Sequence, residues 1–298
     1  MNRCLLTGAS GFLGQYLQEA LAKNYTVNTL SRRGTIPCDL STETPQLSEQ
    51  YDLVVHAAGK AHSIPKTDEE KKSFFKVNAQ GTRHLLDGLA KHQFTGRFVF
   101  ISTVAVYGQE IGENIEEVFS LDGSTPYAQS KIEAEKVLIE ASERHNFDLT
   151  ILRLPLIAGN NPPGNLGSMI DAIQNGKYLS IAGGKARKSI VLAKDVAELV
   201  SSENMANGIF NLTDGDHPSF RELELLISDK LAKRPPRNIP MILARLLGLV
   251  GDILGKKFPV NSLTIKKITS NLTFNDNLAR SAMNWSPHKV KSQPSLWI

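Results

Sequence analysis

Short apolar or β-branched runs alternate with stretches of helical spacing from the start of the chain. Arg3–Thr7, Thr26–Ser31, Asp52–Ala57, Arg97–Ser102 and Asp148–Leu154 read as strands. Between them, Phe12–Asn24, Lys71–His92 and Tyr127–His145 read as helices, the second with Phe74, Val77, Leu85 and Leu89 among its apolar positions. This cadence predicts an α/β fold, a Rossmann-type doubly wound parallel sheet of about seven strands. The rhythm changes after Pro155, where Asn160–Asn165 is rich in turn formers. Beyond it the pattern predicts a helix at Leu166–Asn175, a strand at Ser189–Leu192, a helix at Lys194–Ser202 and a strand at Ile209–Thr213. Residues 218–258 read as helical, broken around Arg234-Pro235-Pro236. The expected division is a Rossmann-type domain over 1–158, completed by 190–213, and a smaller α-rich domain over 159–189 and 214–298.

Composition adds bounds. With 298 residues, 41% hydrophobic and 21% charged, the chain has the make-up of a globular protein. It has no apolar run of the roughly 18 residues that span a bilayer and no signal-peptide pattern at Met1-Asn2-Arg3. Cys4 and Cys38 are too few for a disulfide framework and have no metal-ligand spacing, so no metal is expected and a reducing cytoplasm is the expected compartment. The net charge of +4 is uneven: from Lys230 onward twelve Lys/Arg face only Asp252 and Asp276. A basic last third suits an anionic partner (a diphosphate substrate or a membrane surface) or serves as a solubilising face. No recognition motif accompanies it, so nucleic acid is not expected.

Thr7-Gly8-Ala9-Ser10-Gly11-Phe12-Leu13-Gly14 follows the first strand and opens the first helix. Glycines at Gly8, Gly11 and Gly14 permit a tight turn, close approach of a pyrophosphate and close helix–strand packing. Where an NAD-binding chain usually has an acid after its second strand, this one has Ser31-Arg32-Arg33. Two guanidiniums and a hydroxyl suit a 2′-phosphate and favour NADP(H) over NAD(H). The alternative is that one Arg stacks on adenine and the other is solvated.

Tyr127 and Lys131 stand at i and i+4, on one helix face, where the ammonium is expected to lower the phenol's pKa. Thr103 lies upstream at the C-terminal end of the fourth predicted strand, the edge at which open α/β sheets bind ligands. With TGASGFLG, HAAG (His56–Gly59), FFKVNAQGT (Phe74–Thr82), STVAVYG, YAQSK and NWSP, in that order over nearly the whole chain, the sequence resembles the extended short-chain dehydrogenase/reductases, the NAD(P)-dependent epimerase/dehydratase family. The resemblance implies that Tyr127 is the general base and acid, Lys131 its electrostatic partner and ribose ligand, Thr103 a donor to the reacting oxygen, and Asn78 a structural-catalytic residue. It also implies that Ser10, Phe12, Leu13, Asp39, Leu40, Ala57, Ala58, Gly59 and Pro155 line the cofactor.

Two departures narrow the expectation. Family dehydratases carry an Asp-Glu pair after the Thr; here Val104 and Ala105 cannot move protons, so elimination of water is not expected. A family Asn three residues past the fifth-strand Arg is replaced by Leu156, counted from Arg153. For the substrate, the resemblance implies contacts from Asn165, Leu166, Arg187 and Lys188 to a nucleotide diphosphate, a UDP-sugar first among them. The expected reaction is 4-epimerisation of a UDP-hexose or UDP-N-acetylhexosamine for bacterial surface polysaccharide. NADPH-dependent reduction of a UDP-6-deoxy-4-keto sugar and epimerisation of a polyprenyl-diphosphate-linked sugar stand beside it, and a non-catalytic dinucleotide sensor is the remote reading. Pro240–Lys257 has a broad apolar face bracketed by Arg237, Arg245, Lys256 and Lys257. The preferred reading is a helix packed on the core or on a second copy in a homodimer; peripheral membrane contact is the lesser one.

Overall fold

The predicted strands are apolar on both faces, so the sheet needs cover on both sides. The computed structural model describes residues 2–61, 63–254 and 261–298 and shows that cover. The strands in chain order are β1 (Asn2–Thr7), β2 (Tyr25–Ser31), β3 (Ile36–Pro37), β4 (Leu53–His56), β5 (Arg97–Thr103), β6 (Gly112–Ile115), β7 (Asp148–Leu154), β8 (Leu156–Ala158), β9 (Leu179–Ile181), β10 (Ile190–Leu192) and β11 (Gly208–Asn211). Seven of them form one parallel sheet in the order β11-β7-β5-β4-β1-β2-β3, so the chain starts mid-sheet and winds outward both ways.

Adjacent residues serve opposite faces, as strand geometry dictates. Leu6, Val55, Val99 and Leu152 pack under α1 (Phe12–Leu21) and, farther along the chain, α6 (Ala193–Ser201). Leu5, Val54, Phe98 and Ile151 pack on the other face, which α3 (Gly81–Ala90) and α4 (Pro126–His145) cover. A third cluster joins α5 (Gly164–Gln174) to α7 (Phe220–Lys230) through Met169, Ile173, Leu223 and Ile227, with Trp297 beside them. Among the described residues no helix is long and apolar enough to cross a membrane.

Three expectations need correction. The helix expected over Lys71–His92 is α2 (Asp68–Phe75), a π-helical turn over Lys76–Gln80, and α3, with Thr67 capping the start. The strand expected near 189–192 is β10, but it pairs with β8 outside the main sheet, and only β11 extends that sheet beyond β7. The helical stretch expected over 218–258 is α7 and α8 (Met241–Leu254), separated by β12 (Arg237–Ile239), which pairs with β9. Residues 255–258 of that expectation, and His62, lie outside the described residues. Past them come α9 (Ser262–Thr269), β13 (Leu272–Phe274) paired with β6, and α10 (Asn277–Met283).

Behind the sheet's C-terminal edge lies a buried ion pair that sequence patterning gave no reason to expect. Arg153 on β7 meets Glu135 on α4 through both arms: Nε to Oε1 at 3.2 Å and Nη2 to Oε2 at 2.7 Å. The Ser102 hydroxyl donates to the same carboxylate. Arg153 Nη1 reaches the Tyr107 hydroxyl, which in turn donates to Asn211 on β11 at 2.7 Å. Every charge here is desolvated, so each relies on its partners. Glu135→Ala should therefore cost about 3–5 kcal/mol of unfolding free energy in a urea titration, with most of it recovered in Glu135→Leu/Arg153→Met.

Candidate cofactor and substrate site

The glycine turn is shaped by contacts that no side chain could share. Gly8 has φ +75°, and a Cβ there would lie 2.5 Å from the Ala58 backbone nitrogen. A Cβ on Gly14 would lie 1.9 Å from the Gly8 carbonyl oxygen, so helix and turn touch backbone to backbone. Gly11 caps α1 and offers no side chain to its first amides. Those amides, at the positive end of the helix, suit a pyrophosphate. A Cβ on Gly59 would meet Asn78 Oδ1 at 3.2 Å and Lys131 Nζ at 3.4 Å, another surface kept bare for close approach. These residues fit a dinucleotide.

A hydrogen-bonded chain fixes the turn to the rest of the edge. The Ala58 amide donates to Thr7 Oγ1 at 3.1 Å, and Thr7 Oγ1 lies 2.6 Å from His56 Nδ1. On the far side of the ring, His56 Nε2 lies 3.0 Å from Thr82 Oγ1, whose own proton goes to the Asn78 carbonyl at 2.6 Å. Since Thr82 spends its proton on Asn78, Nε2 must be the ring donor, and Nδ1 accepts from Thr7. The imidazole is neutral by construction, and burial, followed by the Lys131 charge, pushes its pKa down to about 3. Asn78 sits on the π-helical turn; its Nδ2 donates to Lys60 O and to Ser130 Oγ, and Ser130 donates to the Tyr127 carbonyl. The linkage thus runs from the glycine turn to the helix that carries Tyr127.

Thr125 caps α4 and Pro126 opens it, an arrangement suited to a helix start. Tyr127 therefore stands on the first turn and Lys131 one turn deeper. Thr103 ends β5, where its Oγ1 accepts from the Ala105 amide. Burial raises the Tyr127 phenol above its ordinary pKa, opposed by the nearby Thr103 side chain. The net shift is thus opposite in direction to the one expected from Lys131. The Lys131 ammonium donates instead to the Ile101 carbonyl at 2.8 Å and lies 4.3 Å from the centre of the Phe100 ring. Burial, partly offset by Glu135, brings its own pKa down to about 8.

The other expected cofactor residues divide. Ala57, Ala58 and Pro155 are half-buried on segments that continue the edge, and Ser10 is exposed in the turn, followed by half-buried Phe12 and buried Leu13. Arg32 and Arg33 are exposed just beyond Ser31, whose hydroxyl accepts from the Arg33 amide. Asp39 is held below the usual carboxylate range by the Ser41 hydroxyl and amide, with Arg32 and Lys76 adding to the effect. Leu40 is buried, and its carbonyl is 2.7 Å from His84 Nδ1.

The expected substrate residues lie on α5 and on the segment before β10. Asn165 is exposed on the first turn of α5. The Leu166 side chain is buried in the third core cluster, so only its main chain can face a ligand. Arg187 donates to the His217 carbonyl and lies 3.6 Å from Glu222. Lys188 is no solvated surface charge: its Nζ donates to the Lys267 carbonyl at 3.2 Å, and burial lowers its pKa. Thr7, His56, Thr82 and Ser130 were not singled out from the sequence by role. The only available signals were their places inside TGASG, HAAG, NAQGT and YAQSK.

Residues 4–211 match the model of the NAD-dependent epimerase/dehydratase family. The chain belongs to that family. As a family member it is an NAD(P)-dependent enzyme of the epimerase/reductase type. It is similar to the N-acetyl-α-D-glucosaminyl-diphospho-ditrans,octacis-undecaprenol 4-epimerase of Escherichia coli O157:H7, at 28% identity over 97% of this chain and 92% of the relative. It is also similar to the GDP-6-deoxy-D-mannose reductase of Pseudomonas aeruginosa, at 27% identity over 76% of this chain and 80% of the relative. In fold it resembles the UDP-glucose 4-epimerase of Thermotoga maritima, solved with UDP-glucose, with a TM-score of 0.74 and 18% identity over 100% of this chain and 97% of that one.

In this family member the neutral His56 carries a pH signature. Between about pH 6.5, the unfolded value, and about 3, the folded one, the unfolded state binds the extra proton. Stability is full above the unfolded pKa and falls as the pH drops toward the folded one. Denaturant titrations should show a loss of about 2 kcal/mol from this ring between pH 7 and pH 5, and His56→Gln should remove that slope.

Proposed function

We propose that the protein is a sugar-nucleotide 4-epimerase, oxidising and re-reducing C4 of a UDP-hexose or UDP-N-acetylhexosamine. The observation that carries the reading is the placement of Thr103, at the end of β5, near the half-buried Tyr127 on the first turn of α4, beside Val104 and Ala105, which cannot serve as acid or base. A dinucleotide whose pyrophosphate is held at the Gly8–Gly14 turn would supply hydride acceptance and return. Tyr127, as phenolate, takes the proton of the C4 hydroxyl as hydride leaves C4, and returns it to the same oxygen when hydride comes back to the other face of the carbon. Thr103 hydrogen-bonds the same oxygen. Lys131, mostly cationic at neutral pH with its pKa near 8, favours the phenolate as it forms. Without a second acid–base pair, no water leaves the sugar. Asn165, Arg187 and Lys188 supply donors for the diphosphate.

A specific observation favours a second reading. Arg32 and Arg33 are exposed beside Ser31, which suits the 2′-phosphate of NADPH, and a relative is a GDP-6-deoxy-D-mannose reductase. A ketoreductase would run only the return half, with Tyr127 as acid. The undecaprenol-linked epimerase among the relatives adds a lipid diphosphate as an alternative carrier of the sugar.

Tyr127→Phe should lower kcat by roughly 10²–10⁴-fold with KM little changed, measured on UDP-N-acetylglucosamine or UDP-glucose. Cofactor released on denaturation separates the two reactions: retained oxidised dinucleotide marks the epimerase, whereas a protein that arrives empty and consumes NADPH with a 4-keto sugar marks the reductase. Arg32→Glu/Arg33→Glu should weaken NADP(H) binding by about tenfold or more relative to NAD(H) in calorimetric titration.

A further inference from the structure

Helix α8 is held by a narrow stripe. Ala244, Gly248 and Gly251 are its buried residues, and a Cβ on Gly248 would come within 3.1 Å of the Ser262 backbone on α9. At 100° per residue these three positions share one side. The far side presents Ile242, Leu246, Leu249, Val250 and Ile253, and all five are exposed, Ile242 by 76% and Ile253 by 85%. Contiguous apolar faces of this kind mark interaction surfaces.

The charge around the face indicates what covers it. Residues 237–269 contain six Lys/Arg and a single acid, Asp252. That carboxylate accepts from the Ser262 amide at 3.1 Å. Arg237, Arg245 and Lys266 are exposed, the last in the final turn of α9. A second copy seated on this face across a twofold axis would bring cationic rims together with little acid to pair them. An anionic lipid surface offers both the apolar depth and the opposite charge.

The face is also joined to Lys188, one of the expected diphosphate ligands. Lys267 of α9 pairs with Glu110, on the loop leading from the Thr103 turn to β6, and its carbonyl accepts from Lys188. We infer that the α8–α9 face docks the protein on an anionic phospholipid bilayer. This concerns the surface and holds whichever sugar diphosphate the site takes.

The test is co-sedimentation of the full chain with phosphatidylcholine vesicles, with and without phosphatidylglycerol, at low and high salt. The protein should pellet with the anionic vesicles, less so at high salt and little with the neutral ones. Ile253→Glu and Leu246→Glu should each weaken that binding by about tenfold or more, and Arg245→Glu/Lys266→Glu should weaken it on anionic vesicles. Unchanged circular dichroism and unchanged turnover of a soluble sugar nucleotide would show that these variants fold. A wild-type chain left in the supernatant with both vesicle types overturns the proposal, as does binding that Ile253→Glu leaves intact. A dimer that Ile253→Glu dissociates, with no vesicle binding, overturns it in favour of a second copy.

Discussion

Everything at the site depends on one imidazole having a single place to put its proton. His56 lies buried between two threonine hydroxyls, and Thr82 commits its proton to Asn78, so the ring must donate from Nε2 and accept at Nδ1. A charged ring would break that pattern. The neutral ring joins three elements that the sequence keeps far apart: the β1 end with its glycine turn, the β4 end with Ala58, and the start of α3. Through Asn78 and Ser130 the same linkage reaches the Tyr127 carbonyl. Cofactor turn and reactive tyrosine are thus referenced to one another by directional bonds, while the apolar packing around them carries no orientation.

Helix α4 bears the cost of this arrangement. Ser130, Lys131 and Glu135 all face inward and are buried, so an inner face that would ordinarily be leucine and alanine is partly polar. Each group has its compensation: Lys131 on the Ile101 carbonyl, Glu135 on Arg153 and Ser102, Ser130 on Tyr127 and Asn78. Desolvation brings the Lys131 pKa down to about 8 and moves that of Tyr127 up.

Much of this was legible in the sequence because it is local. Strand periodicity, the helix beginning near Tyr127, the glycine spacing and the shared face of Tyr127 and Lys131 depend on residues a few positions apart. The strands β1, β4, β5 and β7 fall within a residue or two of where apolar runs placed them. What the sequence concealed is non-local. Pairing of β10 with β8 depends on where the chain goes after Pro155, and the π-helical turn at Lys76–Gln80 inserts a residue into a helix whose apolar pattern looks continuous. The Leu166 side chain reads as a ligand by motif and as core by contact, and its packing with Met169 and Ile173 decides for the core. The direction of the phenol's pKa shift is hidden too, because spacing shows a nearby charge but not the burial that opposes it.

The proposed reaction moves hydride at sugar C4 and leaves the sugar's water in place. It is tested on UDP-N-acetylglucosamine or UDP-glucose deuterated at C4, with the product examined by NMR and mass spectrometry. Inverted configuration at C4, deuterium retained at that carbon, and no loss of water are expected. Deuterium washed out into solvent, or a product lighter by one water, would contradict it.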